Sequence, residues 1–334
     1  MSTYILLPHP GHSRLFLDRA AGAAVRELEA LLPGCAVTAE QTAGLACFRL
    51  TSPEPLSQAA LADCARASLF YALFEERENG LLRPVEAPQW RYLPDSLNTI
   101  LKYPGKTNEQ FTRMLVNLAV WAGGGLRERP TLLDPMCGQG TTLFEAALRG
   151  WNAVGLEVQQ QPVQKGVTYF LKFLETGRYK HKRSEERRTL AGKRIARAVT
   201  VEYAAEKDAW YAGDTRRLRI FHADSALCGQ LLPKESCHLL ACDLPYGVQH
   251  GSSGQEGLRR DASALVRACA PGWYAALCRG AGAALAYNTL TTPREALADA
   301  MEAAGFAVLP AAAELEHRVD QAISRDILLA RKPK

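Results

Sequence analysis

Two short segments of the chain hold residues whose types and spacing could do chemistry. Residues 133–142 (LDPMCGQGTT) place an acid ahead of two glycines that are one residue apart. Gly138 and Gly140 allow a close approach of backbone to a ligand, and the helix predicted to follow them offers unpaired N–H groups. Residues 242–247 (CDLPYG) combine a carboxylate, a carbonyl fixed by proline and an aromatic ring. The pair of segments indicates a ligand site beside a catalytic site.

The glycine turn matches neither of the common phosphate-binding loops. A dinucleotide fingerprint needs a third glycine at position 143, which is Leu, and a P-loop needs a lysine after its glycines. An acid followed by Cys-Gly-x-Gly instead suits S-adenosylmethionine (SAM), which carries an amine, a carboxylate and ribose hydroxyls. In this interpretation Asp134 bonds the ammonium group, and the backbone from Gly138 to Gly140 accommodates the amino-acid moiety.

Two further acids follow the next two predicted strands. Glu157 is placed to accept both ribose hydroxyls, and Asp224 could accept from the adenine amino group. Three acids at the ends of three successive strands favour a cofactor site over a plain strand–helix connection. The predicted cofactor site comprises Asp134, Met136, Cys137, Gly138, Gly140, Thr141, Glu157 and Asp224.

The second segment predicts a receptor for a flat ring that bears an exocyclic amine. Pro245 holds Leu244 extended, so the Leu244 carbonyl and the Asp243 carboxylate accept from the amine while Tyr246 stacks on the ring. These contacts orient the nitrogen lone pair towards a sulfonium methyl group and stabilise the positive charge that develops. The base must be unpaired or flipped out to reach such a pocket. Tyr at position 246 argues against a 5-methylcytosine enzyme, which needs a cysteine after the proline.

Three hypotheses for function follow from these segments. The leading one is a SAM-dependent RNA methyltransferase that acts on an exocyclic purine amine. The second is an N6-adenine methyltransferase of DNA or RNA, since the same motif receives either amine. The third is a non-catalytic RNA-binding protein that retains the fold, and the intact Asp243, Gly138 and Gly140 argue against it.

The elements that must position these residues form two predicted domains. Residues 1–95 have a β-α-β-β-α order, with helices predicted over 15–32 and 56–74, and indicate a small α+β domain. Residues 96–334 alternate strands with helices, which predicts a mostly parallel, Rossmann-like sheet that binds ligands at the carboxyl ends of its strands. Seven strands are expected, at 132–133, 153–156, 218–221, 238–242, 283–287, 306–309 and 327–330.

The positive charge of the chain is concentrated in one insertion. The net charge is +5, yet residues 172–197 hold ten Lys or Arg and three Glu, so this stretch carries +7 and the rest of the chain −2. Concentrated charge favours phosphate contacts with a nucleic acid over a solvated, partly mobile insertion. The candidate contacts are Lys180, Lys182, Arg183, Arg187 and Arg188.

Composition excludes several classes of protein. A chain of 334 residues with 47% hydrophobic residues is neither collagen-like nor wholly disordered. No apolar run approaches the roughly 18 residues of a membrane span, and the N-terminus lacks the basic region of a signal peptide. Nine scattered cysteines without a CxxC pair argue against a disulfide framework and a zinc site, so we expect no metal and a cytoplasmic location.

Residues 134–141 (DPMCGQGT) and 243–247 (DLPYG), with the helix start 106–111 (KTNEQF), resemble the THUMP-associated tRNA (guanine-N2) methyltransferase group. The resemblance covers about 101–331 and implies SAM as methyl donor, a Rossmann-like methyltransferase fold and guanosine N2 in tRNA as the substrate. By position it implies a base site at residues 243–246 and a SAM site at Asp134, Gly138, Gly140 and Glu157. Residues 1–95 are too few for a ferredoxin-like unit plus a complete THUMP domain, so we expect an incomplete THUMP-like, candidate RNA-binding domain there.

Overall fold

The structure of the chain is a computed structural model, which describes residues 1–10, 14–99, 106–125, 128–190, 193–245, 262–310, 315–319 and 321–334. These residues cluster into two compact units. One unit is Met1–Trp90 with Ala311–Asp326, and the other is Arg91–Pro310 with Ile327–Lys334. The segment 311–326, which the sequence analysis assigned to the second domain, therefore clusters with the first unit.

The first unit is built on a five-stranded antiparallel sheet in the order β2-β3-β1-β4-β5. Leu6, Leu28 and Leu50 are almost fully buried in its core. The small α+β domain predicted from the sequence is thus confirmed. Its elements are β1 Ser2–Pro8, α1 Arg14–Leu31, β2 Ala36–Thr42, β3 Leu45–Ser52, α2 Gln58–Ala65, β4 Phe70–Glu76 and β5 Leu82–Val85.

The helix predicted over residues 56–74 is wrong in its second half. Helix α2 ends at Ala65, and the aromatic-rich segment Phe70–Glu76 forms strand β4, in which Phe74 lies opposite Ile5 of β1. Aromatic residues favour strands, and periodicity alone does not separate a short apolar strand from a buried helix.

The second sheet has ten strands, in the order β13-β15-β12-β11-β6-β7-β10-β9-β8, with β14 paired to β15. Strands β12, β11, β6, β7 and β10 are parallel neighbours, whereas β9 and β8 continue the sheet in antiparallel fashion. The α/β fold class is confirmed, and the sheet is mixed. The elements are α3 Ser96–Thr99, α4 Glu109–Ala122, β6 Thr131–Asp134, α5 Thr141–Leu148, β7 Asn152–Glu157, α6 Gln160–Thr176, β8 Lys180–Leu190, β9 Lys193–Ala204, α7 Lys207–Tyr211, β10 Arg216–His222, α8 Cys228–Leu231, β11 Cys237–Asp243, α9 Ala262–Ala276, β12 Leu277–Asn288, α10 Arg294–Ala303, β13 Ala307–Val308, β14 His317–Arg318 and β15 Ser324–Arg331.

The central strands are mostly apolar between their first and last residues. Strands β6 and β11 bury Leu132, Leu133 and Leu240 completely, as expected for strands in the interior of a parallel sheet. Strands β6, β7 and β11 then end at acids. Since the strands are parallel, their acidic ends lie at the same edge of the sheet.

Most of the basic stretch, from residue 180 onward, belongs to a β-hairpin that extends this sheet, whereas its first residues end α6. The sequence predicted no strand here, but residues of β8 and β9 pair in antiparallel register, with Arg183 opposite Val201 and Arg187 opposite Arg197. Strand β9 pairs in turn with β10. The charges of the hairpin therefore stand on regular strands and not on an irregular insertion.

Within the described residues, the structure shows no disulfide bond, no metal-binding cluster and no membrane-spanning helix. All nine cysteines are free thiols, and seven are buried. Among the residues described, no group of three or more His, Cys, Asp or Glu side chains could hold a metal ion. No helix within the described ranges is long and apolar enough to cross a membrane.

Candidate functional site

Three acidic side chains end three neighbouring strands of the second sheet. Asp243 ends β11, Asp134 ends β6 and Glu157 ends β7, and these strands are adjacent in the order β11-β6-β7. The structure thereby brings the predicted base site and the predicted cofactor site to the same sheet edge. Open α/β sheets bind their ligands at this edge.

The turn after β6 takes its shape from its two glycines. Gly138 has φ 53° and Gly140 has φ 96°, a left-handed region that favours glycine. The Cys137 N–H donates to the Leu156 carbonyl at 2.9 Å, and the Gly140 N–H donates to the Cys137 carbonyl at 2.7 Å. Helix α5 begins at the next residue, the buried Thr141, so its first N–H groups follow directly on the turn.

Two further glycines let the turn pack closely against its neighbours. A Cβ atom added at Gly155 of β7 would lie 2.6 Å from the Cys137 sulfur atom. One added at Gly166 of α6 would lie 2.3 Å from the Gln139 carbonyl oxygen. Neither residue is predicted as part of the site from the sequence, although a single glycine inside a strand or a helix is a signal of close backbone approach.

Glu157 bonds the turn and keeps acceptor capacity. Its Oε2 accepts from the Gly138 N–H at 3.0 Å, and its Oε1 accepts from the Gln159 N–H at 2.7 Å. A carboxylate offers about four lone-pair positions, so each oxygen retains one for a ribose hydroxyl. At Gly138 of the turn, an added Cβ atom would project into open space, which leaves room for a ligand. This space and the flanking acids Asp134 and Glu157 fit the groups of SAM.

Asp134 is a buried acid at the base of the turn, with 3% of its surface exposed. Burial raises the pKa of its carboxyl group from 3.8 to about 7, and the negative charge of Asp243 acts in the same direction. Hydrogen bonds from the Met136 N–H, at 3.1 Å, and from the Thr142 and Cys242 side chains oppose this rise in pKa. A group with this pKa binds a cation by giving up a proton near neutral pH.

The raised pKa of Asp134 makes the stability of the ligand-free protein pH-dependent. Between pH 3.8 and about pH 7, Asp134 holds a proton in the folded chain that it has released in the unfolded chain. The free energy of unfolding therefore falls as the pH rises. Asn at position 134 is neutral throughout. From about pH 5 to about pH 8, we expect the free energy of unfolding of the parent to fall by about 2–3 kcal/mol relative to Asp134→Asn. Chemical denaturation of both proteins at the two pH values measures this difference, and parallel pH profiles would contradict it.

Asp243 is held by a residue far away in the sequence. The Thr107 hydroxyl donates to Asp243 Oδ2 at 2.6 Å. The adjacent Leu244 is buried, and its N–H donates to the Ala286 carbonyl of β12 at 2.9 Å. The sequence indicates only a helix start at residues 106–111, because a single threonine shows no pattern that marks it as a partner of Asp243.

The other predicted base-site residues are described only in part. Pro245 is exposed, and Tyr246 lies outside the described residues. Its stacking on a base stays a prediction from the sequence.

The outermost predicted cofactor residue, Asp224, is exposed at the end of β10. Its Oδ1 accepts from the Ala226 N–H at 2.8 Å and caps the short turn Ser225–Leu227. Met136 is partly buried at the start of the glycine turn. Asp224 thus follows β10, the next strand beyond β7 in the order β6-β7-β10.

Neither cysteine beside the site has the properties of a nucleophile. Burial raises the pKa of Cys137 and of Cys242 well above the ordinary value of a thiol. The neighbouring carboxylates, Asp134 above all, raise both pKa values further. Both thiols are therefore protonated at neutral pH and act as packing and hydrogen-bonding groups.

The candidate nucleic-acid residues stand on the two faces of the hairpin. Residues opposite each other in an antiparallel pair share a face, and alternate residues of one strand face opposite sides. Arg183 and Arg187 lie on the face that forms a groove with α6, whose lining includes Arg183, Arg197, Val199 and Gln164. By alternation, the opposite face carries Lys180, Lys182 and Arg188.

Ion pairs separate these five residues into two groups. Arg183 shares Glu185 with Arg197, and Arg188 shares Glu186 with Arg219, so the charges of Arg183 and Arg188 are partly compensated. Within the part of the chain that the structure describes, Lys180, Lys182 and Arg187 form no ion pair. Among the five candidates, these three side chains thus lack an ion pair, although Lys182 lies opposite Glu202 and interacts with its charge.

Comparison with known proteins identifies the kind of domain that holds this site. Residues 99–308 match the family model described as UPF0020: RMKL-like, methyltransferase domain. The fold resembles TrmN from Thermus thermophilus, at 16% identity and a TM-score of 0.46, over 99% of this chain and 100% of that one. It also resembles magnesium protoporphyrin IX methyltransferase from Synechocystis PCC 6803 with bound SAM, at 13% identity and a TM-score of 0.40, over 71% of this chain and 94% of that one. These structural scores are too low to indicate a substrate.

Proposed function

The chain belongs to the UPF0020 family of RMKL-like methyltransferases and is a SAM-dependent methyltransferase, and from this premise we propose that it methylates an exocyclic purine amine in RNA. The proposed target is N2 of guanosine in tRNA. The observation that carries the proposal is the position of Asp243 and Leu244 at the end of β11, next to the glycine turn and Asp134 at the end of β6. An acceptor for an amine thus lies beside the proposed SAM site.

In the proposed site, the residues of the turn would hold the cofactor. Asp134 would bond the ammonium group, the Gly138–Gly140 backbone would border the amino-acid moiety, and Glu157 would accept from the ribose hydroxyls. Bound SAM supplies an electrophilic methyl group on a sulfonium ion. The hydrogen bond from Cys137 to β7 and the close packing against α6 position the turn before the substrate arrives.

Asp243 and Leu244 orient the substrate amine. The Asp243 carboxylate and the Leu244 carbonyl accept hydrogen bonds from the exocyclic amine, which directs the nitrogen lone pair away from them and towards the methyl group. The negative charge of Asp243 stabilises the positive charge that develops on nitrogen during transfer. Pro245 keeps Leu244 extended, and Tyr246 stacks on the base. A base inside a duplex does not reach these groups, so the target nucleoside is unpaired or flipped out.

Nucleoside analysis tests the proposed reaction. RNA from cells that lack the protein is incubated with labelled SAM and the pure protein, digested to nucleosides and separated by chromatography. Label in N2-methylguanosine of the tRNA fraction is the expected result. Label in N6-methyladenosine would replace guanosine by adenosine as the substrate, and absence of label from all RNA fractions with label in DNA would overturn the RNA proposal.

The basic hairpin is the proposed contact with the RNA backbone. Its candidate residues are Lys180, Lys182, Arg183, Arg187 and Arg188, and phosphate contacts of this kind provide affinity but no sequence choice. Because Arg183 and Arg188 form ion pairs with Glu185 and Glu186, whereas Lys180 and Lys182 form none within the described residues, the two lysines are expected to contribute more to binding.

Charge reversal within the hairpin measures this difference. We expect Lys180→Glu/Lys182→Glu to weaken RNA binding about 10-fold or more and to reduce the salt dependence of log K by about 2. The matched variant Arg183→Glu/Arg188→Glu makes the same change of charge on the same strand and should cost less. Titration of labelled RNA at several salt concentrations gives both quantities. The variant Lys207→Glu/Lys234→Glu makes the same change of charge outside the hairpin. Equal losses of RNA affinity in the two hairpin variants, or an equal loss in this third variant, would contradict a specific contact by Lys180 and Lys182.

Two further assignments belong to the same proposal. The first unit, with its antiparallel sheet over residues 1–85, is a candidate second RNA contact of incomplete THUMP type. A tRNA substrate and free thiols suit the cytoplasm and a place in tRNA processing.

A further inference from the structure

Thr107, which lies just before α4, is hydrogen-bonded to the carboxylate of Asp243. Its hydroxyl donates to Oδ2 at 2.6 Å, across a separation of 136 residues in the chain. An O–H to carboxylate contact of this length is a charge-assisted hydrogen bond, which is stronger than one between neutral groups. The contact therefore constrains Asp243 directly.

A carboxylate at the end of a strand needs such a constraint to act as an oriented acceptor. The χ2 torsion of Asp is broad, so the backbone of β11 alone does not set the plane of its two oxygens. A donor that binds one oxygen sets this plane and with it the lone-pair directions of the other oxygen. For an in-line transfer, the direction of the acceptor decides where the substrate lone pair points.

The segment that carries Thr107 is itself held on both sides. The Lys106 ammonium group, with 9% of the side chain exposed, donates to the Asn98 carbonyl at the end of α3 and pairs with Glu109 at 3.2 Å. The Asn108 side chain caps α4 by accepting from two backbone N–H groups of its first turn. Helix α4 is buried along its inner face, with Phe111 and Met114 inaccessible to solvent. The Thr107 hydroxyl is thus presented by a fixed helix start.

We propose that Thr107 is a positioning residue for methyl transfer, whose hydroxyl holds the Asp243 carboxylate in the orientation that accepts the substrate amine. This inference rests on the proposed function, because it gives Asp243 the role of acceptor. Thr107 touches neither SAM nor the reacting nitrogen in this proposal and acts only through Asp243.

Steady-state kinetics of three Thr107 variants test the proposal. Thr107→Val keeps the shape of the side chain but removes the donor, and we expect kcat to fall about 10- to 100-fold. The affinity for SAM, measured by calorimetry, should stay within about twofold of the parent, because Thr107 does not touch the SAM site. Thr107→Ser retains a hydroxyl and should restore kcat to within about threefold of the parent. Thr107→Ala also removes the donor and has a smaller side chain, so it serves as the test if the Thr107→Val protein folds poorly.

The double variant with Asp243→Asn distinguishes positioning from a purely structural role. If Thr107 acts through Asp243, Thr107→Val should change kcat by no more than about twofold in the Asp243→Asn background. Additive losses would overturn the proposal, as would a serine variant no better than valine. A matched control is Thr215→Val, which removes a hydroxyl bonded to the Glu202 carboxylate at the same 2.6 Å and should leave kcat near the parental value.

The outcome also separates this inference from the function on which it rests. Full activity of Asp243→Asn would remove both the catalytic assignment of Asp243 and the role of Thr107. Loss of activity in Asp243→Asn, combined with full activity in Thr107→Val, would remove only the role of Thr107 and leave the proposed function in place.

Discussion

Asp243→Asn is expected to reduce kcat for RNA methylation by about 10²- to 10³-fold while SAM affinity stays near that of the parent protein. Asparagine keeps the size of the side chain and one oxygen, but it lacks the negative charge that stabilises the developing positive charge on nitrogen. Its amide group also offers two N–H donors to a substrate amine that requires acceptors. The loss should therefore appear in the chemical step, which single-turnover transfer from labelled SAM measures directly.

Asp299→Asn is a suitable control for the loss of one negative charge. Asp299 is an exposed acid of α10, and its replacement should leave kcat near the parental value. An Asp243→Asn protein with parental kcat would show that another group orients the amine. A protein that loses SAM affinity and kcat together would place Asp243 in the cofactor site instead.

Gly166→Ala is expected to weaken SAM binding about 10- to 100-fold, although residue 166 itself contacts no part of the proposed cofactor. The added Cβ atom would lie 2.3 Å from the Gln139 carbonyl oxygen, so either α6 or the glycine turn must move. Helix α6 packs through the buried Val163 and Phe170, which leaves the turn as the less restrained partner. Displacement of Gln139 moves the backbone between Gly138 and Gly140 that borders the cofactor.

Calorimetric titration with SAM measures the effect of Gly166→Ala, and a second helical glycine provides the control. A Cβ atom at Gly272 of α9 would lie 3.0 Å from the Gly229 backbone nitrogen, away from the turn. We expect Gly272→Ala to lower the melting temperature without a loss of SAM affinity. Unchanged SAM affinity in Gly166→Ala would mean that the turn tolerates the shift and does not border the ligand closely.

The parts of the site that could be predicted from the sequence are those encoded by local patterns. A strand, an acid and two glycines before a helix are neighbours in the chain, so Asp134, Gly138 and Gly140 could be assigned without knowledge of the fold. The order of strands then placed Glu157 and Asp243 at the same edge, because parallel strands share the direction of their carboxyl ends.

The parts that could not be predicted depend on contacts between distant segments. Nothing near Thr107 in the chain indicates that its hydroxyl meets Asp243, since this contact requires the packing of α4 on the sheet. The hairpin could not be predicted because its first strand lacks the usual sequence pattern of a strand. Strand β8 is charged on both faces and lacks the apolar alternation that marks a half-buried strand, although Ala198, Val199 and Val201 of β9 are buried.

Strand β8 also affects the tendency of this protein to associate with other copies of itself. It ends the strand order, with β9 as its neighbour, so within the described residues its outer backbone N–H and C=O groups are not paired to a further strand. Such an edge attracts strands of other chains unless charged side chains repel them, and β8 carries Lys, Arg and Glu along most of its length. The charges proposed to hold RNA thus also keep an eleven-residue edge from associating. Neutral, β-favouring replacements there would invite aggregation, whereas reversed charges test RNA binding and keep the edge repulsive.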